Sequence, residues 1–331
     1  ARELRAAVAA EAVQVHFQPV VDLEDGRVVA VEALARWEGP HGPVAPGTFV
    51  PVAEQTGLMG DLDALVVRRA LAEVGDMRRT GALAPTTRVA VNLSARSLAD
   101  GRLEAVLRDA VRDSGLRPRD VELEITETAV VDDARQASDV LGRLQRSGYR
   151  IAVDDFGTGY SSLAYLRSLP VDALKVDRSF VSGLETDNDA LAIVASIVDL
   201  ARAVGLDVVA EGVETVGQAA VLRRLGCRRA QGWLWSRALP ADRVRLADWP
   251  AGFGLGTRRR ARPATVPTDE HGLSRLLAMH AEGASLTTIA AALNSEGFRT
   301  PDGVRWHRVS VARAVASSAY PQLVDGPEAL A

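Results

Sequence analysis

The sequence predicts an α/β chain, a (β/α) barrel followed by a small helical domain, on three observations. Short, continuous, β-branched apolar runs recur through residues 1–250, as expected of parallel strands buried on both faces. Helical stripes lie between the runs. Polar residues, mostly acidic, stand at or near the run ends, the position that in a (β/α) barrel converges on one mouth.

Taken in chain order, Ala1–Ala12 reads as a helix and Val28–Leu34 is the first run with an acid in it, Glu32. Val89-Ala90-Val91 ends at Asn92. A stripe of Leu103, Val106, Leu107, Ala110 and Val111 leads to Val121–Ile125, which carries Glu124 and is followed by Glu127. Ala137, Val140, Leu141 and Leu144 form the next stripe, before Ile151-Ala152-Val153 and the pair Asp154-Asp155. Ala173-Leu174-Lys175-Val176-Asp177 holds the chain's only lysine; the rest of the 39 Lys+Arg are arginines. A lysine that persists in so arginine-biased a chain marks a place for a compact ammonium that a planar guanidinium would not fit. Leu191, Val194, Val198 and Ala201 precede Leu206–Ala210, which ends at Glu211 with Glu214 beyond, and Ala230 leads into Gln231.

Net charge −4 over 331 residues suits a globular protein of one large or two unequal domains. No apolar stretch approaches the roughly 18 residues of a membrane span, and no secretory signal is evident. The single cysteine, Cys227, excludes an internal disulfide, fits a reducing cytoplasm, and has no His or Cys cluster beside it. Ala1 already stands in a helical pattern, which suggests that a further domain precedes it. The barrel is expected over residues 1–250. Residues 251–267 read as a linker rich in Pro, Gly and Arg, including Arg258-Arg259-Arg260-Ala261-Arg262-Pro263, and residues 268–331 as a small helical domain.

Glu32, Asn92, Glu124, Asp154, Asp155 and Glu211 offer oxygen ligands only, a set suited to Mg²⁺ or Mn²⁺ rather than Zn²⁺. Packed together without cations, they would cost several kcal/mol per unneutralised charge. Two divalent ions relieve this, with one of the adjacent aspartates bridging them at about 3.5–4 Å, the spacing used for in-line phosphoryl displacement. Ca²⁺ should bind but inhibit, since its longer and more variable bonds misplace the water. Lys175 among these acids suits orienting a water or neutralising a phosphate. On chemistry alone, the loop Asp154–Ser162 is either an ordinary strand-to-helix turn capped by Ser161 or Ser162, or a mobile segment beside the metals.

These motifs together resemble the EAL domain family, the phosphodiesterases of cyclic di-GMP. Glu32-Ala33-Leu34-Ala35-Arg36 is the family's signature. Gln18-Pro19-Val20, Asn92-Leu93-Ser94, Glu124-Ile125-Thr126-Glu127, Asp154–Ser162, Lys175-Val176-Asp177, Glu211-Gly212-Val213-Glu214 and Gln231-Gly232 follow in the family's order, over about residues 1–248. The resemblance implies a (β/α)8-like TIM barrel with one antiparallel strand, for which Gln14–Asp22 and Arg27–Trp37, joined by Glu24-Asp25-Gly26, are the expected reversed pair. It implies Glu32, Asn92, Glu124 and Asp154 as ligands of a first metal, and Asp154 and Asp155 of a second, with Glu211 nearby. Lys175 is implied to position the attacking water. The resemblance also implies that Gln18, Leu34, Arg36 and Gln231 face the substrate, that Glu127 anchors the Asp154–Ser162 loop, and that Glu214 supports the site from behind. A homodimer, and an upstream sensory or GGDEF-type domain, are implied as partners. Gln231-Gly232-Trp233 departs from the family, which more often has Tyr or Phe at the third place.

A receptor that binds cyclic di-GMP without turnover is the alternative, but it has no need of the complete acidic set and Lys175. Residues 271–317 read as three short helices, His271–Glu282, Ser285–Ser295 and His307–Val315. The string from Ile289 to Gly297, with Thr300–Gly303, Trp306 and Val311, resembles the helix-turn-helix segment of serine recombinases. DNA contact through Arg305, Arg308 and Arg313 is one expectation, and a helical docking module the other, with Trp306 and Val311 in its core in either case.

Overall fold

The computed structural model describes residues 1–127, 134–157, 169–244, 270–298, 306, 311 and 314–315. The chain divides into two compact units, Ala1–Gly254 and Leu255–Ala331. Within the first, the described strands are β1 (Gln14–Asp22), β2 (Val28–Gly39), β3 (Gly42–Val44), β4 (Arg88–Leu93), β5 (Val121–Thr126), β6 (Arg150–Phe156), β7 (Ala173–Val176), β8 (Asp207–Ala210), β9 (Arg229–Gln231) and β10 (Leu239–Pro240).

Eight strands close into a barrel in the order β1-β2-β4-β5-β6-β7-β8-β9, with β9 returning to β1. From β2 to β9 the neighbours run parallel, while β1 is antiparallel to both β2 and β9. The reversal follows from chain length, because the five residues from Leu23 to Arg27 can make a hairpin but not a parallel crossover. The Asp22 carboxylate accepts from Glu24 N at 2.8 Å, and Gly26, at φ +70°, donates to Asp22 O at 2.8 Å. The expected reversed pair and the barrel are therefore present. Short β3 folds back on the end of β2, and β10 pairs with the first half of β1.

The continuous apolar runs are buried on both faces, and all four residues of β7 are buried. Outside the sheet, Leu107, Val111, Leu141, Leu144, Val194 and Ala201 seal their helices onto the barrel, as the 3.6-residue stripes predict. The N-terminal helix is shorter than its pattern, Arg2–Ala9 instead of Ala1–Ala12, and Glu11 beyond it takes φ +52°. The longest described helix, Met59–Arg79, buries Leu62, Val66, Ala70, Val74 and Met77 at helical spacing, with Asp63 and Gly75 also on its buried side.

The second unit has helices Glu270–Ala281 and Leu286–Ser295, the latter capped by Ser285, whose Oγ accepts from Thr288 N at 3.2 Å. Leu276, Ile289, Ala290, Leu293, Trp306 and Val311 form its core, so Trp306 and Val311 are core residues as expected. The Asn294 side chain bonds both backbone groups of Trp306, at 2.6 and 2.8 Å. The proposed linker 251–267, Arg305, Arg308 and Arg313, and most of the third expected helix lie outside the described residues.

Gly75 lies where Met59–Arg79 meets the helix Leu103–Ser114, and a methyl group added there would stand 2.4 Å from the Ser114 carbonyl oxygen. Gly75→Ala is therefore expected to destabilise by about 1–3 kcal/mol through overpacking, outweighing a gain in helix propensity of about 1 kcal/mol. Urea denaturation checks this, and an unchanged or raised midpoint would mean that the helices separate at no cost.

Candidate active site

The strand ends that carry polar residues meet around Lys175. Its ammonium is 2% exposed and lies 2.7 Å from Glu211 Oε1, 2.8 Å from Glu124 Oε2, 3.3 Å from Asp154 Oδ2 and 3.6 Å from Glu32 Oε1. Four carboxylates from β2, β5, β6 and the end of β8 thus surround one cation contributed by β7. Parallel strands put successive C-termini side by side, which is why residues up to 179 positions apart in sequence, Glu32 and Glu211, share one ammonium.

Two groups of carboxylate oxygens lie close enough to share a metal ion. Oxygens of Glu32, Glu124 and Asp154 fall within 4.8 Å of one another, as do those of Asp154, Asp155 and Glu211. Asp154 belongs to both. Consecutive strand residues ordinarily face opposite sides, yet Asp154 and Asp155 serve one place. The β6–β7 register shifts between Val153 and Phe156, and Asp155 adopts φ +53°, so a bulge turns both acids to the mouth. Asp155 N donates to Asp154 Oδ1 at 2.9 Å and fixes that turn.

A layer of amides holds Glu32. Asn92 Nδ2 donates to Glu32 Oε1 at 2.9 Å, and Gln231 Nε2 donates to Glu32 Oε2 and, at 3.1 Å, to Gln18 Oε1. Gln18 sits directly across from Glu32 in the β1–β2 hairpin and donates to Ser236 O at 3.0 Å. Gln231 Oε1 is buried with no hydrogen-bond partner, so an acceptor oxygen remains unused at the mouth. Arg36 is half-buried, with Nη1 donating to Ala35 O at 2.8 Å, and Leu34 is half-buried beside it.

Burial works against the Lys175 ammonium, but Glu124, Glu211, Glu32 and Asp154 outweigh it and hold its pKa well above the ordinary lysine value. Burial drives Glu124 well above the usual carboxylate range, and Lys175 only partly offsets this. Glu211 is pushed by burial up to about 8, against the pull of Lys175. Burial also raises Asp155, and the Asp154 carboxylate adds to it. Glu32 alone goes down: burial would raise it, but Lys175 and the amides of Gln231 and Asn92 prevail. One ammonium cannot neutralise this cluster, so part of it holds protons unless cations replace them. That charge deficit and the oxygen-only donor set fit hard divalent cations.

Glu127 is buried and accepts from Gly157 N at 3.1 Å, tying the end of β5 to the start of the loop after β6. Residues 158–162 of that loop lie outside the described residues. Glu214, whose side chain is 40% exposed, pairs with Arg178 at 2.7 Å. Sequence reasoning missed Asp63, whose buried Oδ2 accepts from Ser94 N at 2.9 Å and from the Ser94 and Ser97 hydroxyls at 2.7 Å each. It pins the segment just after Asn92. An acid on the buried face of a helix was its only signal.

Comparison with known proteins agrees with this geometry. The family described as EAL domain matches residues 1–238. The probable cyclic di-GMP phosphodiesterase PdeB of Escherichia coli is 40% identical over 229 residues, covering 69% of this chain and 43% of that protein. An uncharacterized protein of Mycobacterium bovis, Mb1389c, is 41% identical over 272 residues, 82% of this chain and 42% of its own length. The solved PaMucR phosphodiesterase in complex with c-di-GMP superposes with TM-score 0.70 at 41% identity, covering 73% of this chain and 98% of that one. The chain spans less than half the length of these curated relatives.

The raised carboxylates make metal-free stability depend on pH. Folded Glu211 keeps its proton to about pH 8, whereas an unfolded glutamate loses it near pH 4.3. Between those values the folded state binds more protons, so stability falls as pH rises. In excess chelator the melting temperature is expected to be higher at pH 5 than at pH 8, and added divalent cation should flatten the difference. A chelated protein that is more stable at pH 8 than at pH 5 would contradict the assignment.

Proposed function

The chain belongs to the EAL domain family, and on that premise we propose that its barrel hydrolyses one phosphodiester bond of cyclic di-GMP to give linear pGpG. The observation that carries this reading is the buried Lys175 ammonium ringed by four carboxylates in two overlapping groups that share Asp154. Glu32, Asn92, Glu124 and Asp154 would hold one Mg²⁺ or Mn²⁺, and Asp154, Asp155 and Glu211 a second. When bound, such a pair supplies Lewis acidity toward the phosphate and water.

The chain's own groups do the rest. Lys175 is fixed by its carboxylates, and its remaining donor capacity orients the attacking water and offsets charge growing on the phosphate. Glu211, at the open edge of the cluster and one-fifth exposed, is placed to take the proton that this water loses. Lys175, with the amides of Gln231 and Asn92, favours the ionised form of Glu32, and the amide bonds set its orientation before substrate arrives. Gln18, Leu34 and Arg36 lie on β1 and β2 at the same mouth, and the Arg36 guanidinium suits a phosphate oxygen. The PdeB and PaMucR relatives, named for cyclic di-GMP, support this substrate.

Incubation with cyclic di-GMP followed by product chromatography tests the reading. Mg²⁺ or Mn²⁺ should support turnover, excess chelator should abolish it, and Ca²⁺ should inhibit. Lys175→Ala should lose about 10²-fold or more in kcat with substrate binding largely intact. Lys175→Arg should also be poor, since a guanidinium cannot occupy a site that holds four carboxylates within 3.6 Å of one nitrogen. Full turnover in chelator, or wild-type turnover by Lys175→Arg, contradicts the scheme.

Glu127 accepts from the N–H of Gly157, two residues past Asp155. Glu127→Ala is expected to weaken metal affinity and activity about 10-fold or more by loosening that segment. Metal titration of activity checks it, and an unchanged metal dependence at full activity would show the contact to be idle.

A further inference from the structure

Trp233 stands apart from the other described tryptophans. Trp37, Trp235 and Trp306 are at most 9% exposed, whereas Trp233 is 45% exposed. It does not hang from a loose loop. Its neighbours Leu234 and Trp235 are buried, and Leu234 N donates to Val213 O at 3.0 Å. Trp235 N and Ser236 N both return to Gly232 O, at 3.2 and 3.3 Å. Gly232 is packed so closely on Val213 that a side chain there would meet its carbonyl oxygen at 2.0 Å. A rigid turn therefore holds a large apolar ring in solvent, an arrangement that packing alone does not call for.

The ring is flanked by two guanidinium groups, with Arg237 3.8 Å and Arg178 5.1 Å from the indole centroid. Arg178 is itself held by Glu214 at 2.7 Å, and its stem covers Gly212, where a side chain would meet Arg178 Cγ at 2.2 Å. Arg178 follows β7, Gly212 follows β8 and Trp233 follows β9, three adjacent strands, so the cluster spans neighbouring strand ends at the mouth. Trp233 lies two residues beyond Gln231, a backbone reach of at most about 7 Å from the residue whose amide contacts Glu32.

An acidic mouth bordered by planar cations and an exposed indole has two recognition chemistries side by side. The first, with divalent cations bound by its carboxylates, would hold a phosphodiester. The second suits a planar π-system that carries acceptor atoms on its edge, and guanine, with O6 and N7, is such a group for an arginine fork. We propose that Trp233, with Arg237 and Arg178, is the stacking platform for one guanine base of the substrate, an assignment that rests on the cyclic dinucleotide reading above. Trp233 is then a substrate-binding residue that sets affinity and base preference, and it takes no part in bond cleavage.

The test is steady-state hydrolysis of cyclic di-GMP and cyclic di-AMP by the full chain and by Trp233→Ala, Trp233→Phe and Arg237→Ala, with a melting curve for each. Aromatic stacking on a base gives an expected rise in KM of about 10-fold or more for Trp233→Ala, with kcat within about 2-fold. Trp233→Phe should recover most of the loss, and Arg237→Ala should narrow the preference for guanine over adenine. Melting temperatures should stay close to the wild type because the ring is exposed. A wild-type KM in Trp233→Ala, or an equal loss in Trp233→Phe, overturns the platform while leaving the hydrolase reading intact. A wild-type chain that neither binds nor hydrolyses cyclic di-GMP overturns both.

Discussion

Burial of the Lys175 ammonium among carboxylates is the constraint that the rest of the barrel mouth serves. A lone cation 2% exposed would be prohibitive, and so would Glu32 and Glu124 without it. Each stabilises the other, and the surplus of negative charge suits the cluster to hard cations. The (β/α) barrel is suited to this because its parallel strands end together, so each can contribute one charged side chain at the same depth. Apolar burial along β5 and β7 holds those ends in register.

Two departures from regular strand geometry complete the arrangement. The reversed β1 brings Gln18 opposite Glu32, so a neutral amide reaches the site from the one strand that runs the other way. The bulge in β6, with Asp155 at φ +53°, places two consecutive acids at one mouth. A residue in that conformation is strained by about 1–3 kcal/mol, which the surrounding sheet and the Asp155 N to Asp154 Oδ1 bond offset. Behind them, Asp63 and Glu127 use buried carboxylates to fix backbone, one near Asn92 and one at Gly157.

The rim differs from the floor in its electrostatics. Carboxylates line the floor, while Arg36, Arg178 and Arg237 stand around it, two of them against Trp233. That order suits an anionic, planar ligand.

Much of this was legible in the sequence. Continuous β-branched runs separated by 3.6-residue stripes indicate a parallel sheet covered by helices, and the polar residues at the run ends point to the mouth of a barrel. Acids at the ends of those runs, with one lysine in an arginine-rich chain, determine that an ionic site lies there, since such residues are costly to bury without a purpose. The short link Leu23–Arg27 determines the reversed strand. What the tertiary structure decided is which atoms meet. The distances from Lys175 to four acids, the facing of both Asp154 and Asp155 to one side, and the pairing of Glu214 with Arg178 depend on register, bulge and twist. So does the fate of the tryptophans: the same residue type is buried at Trp235 and exposed at Trp233. Local sequence sets how each segment folds, but contacts between segments far apart in the chain are fixed only once the barrel closes and brings its strand ends together.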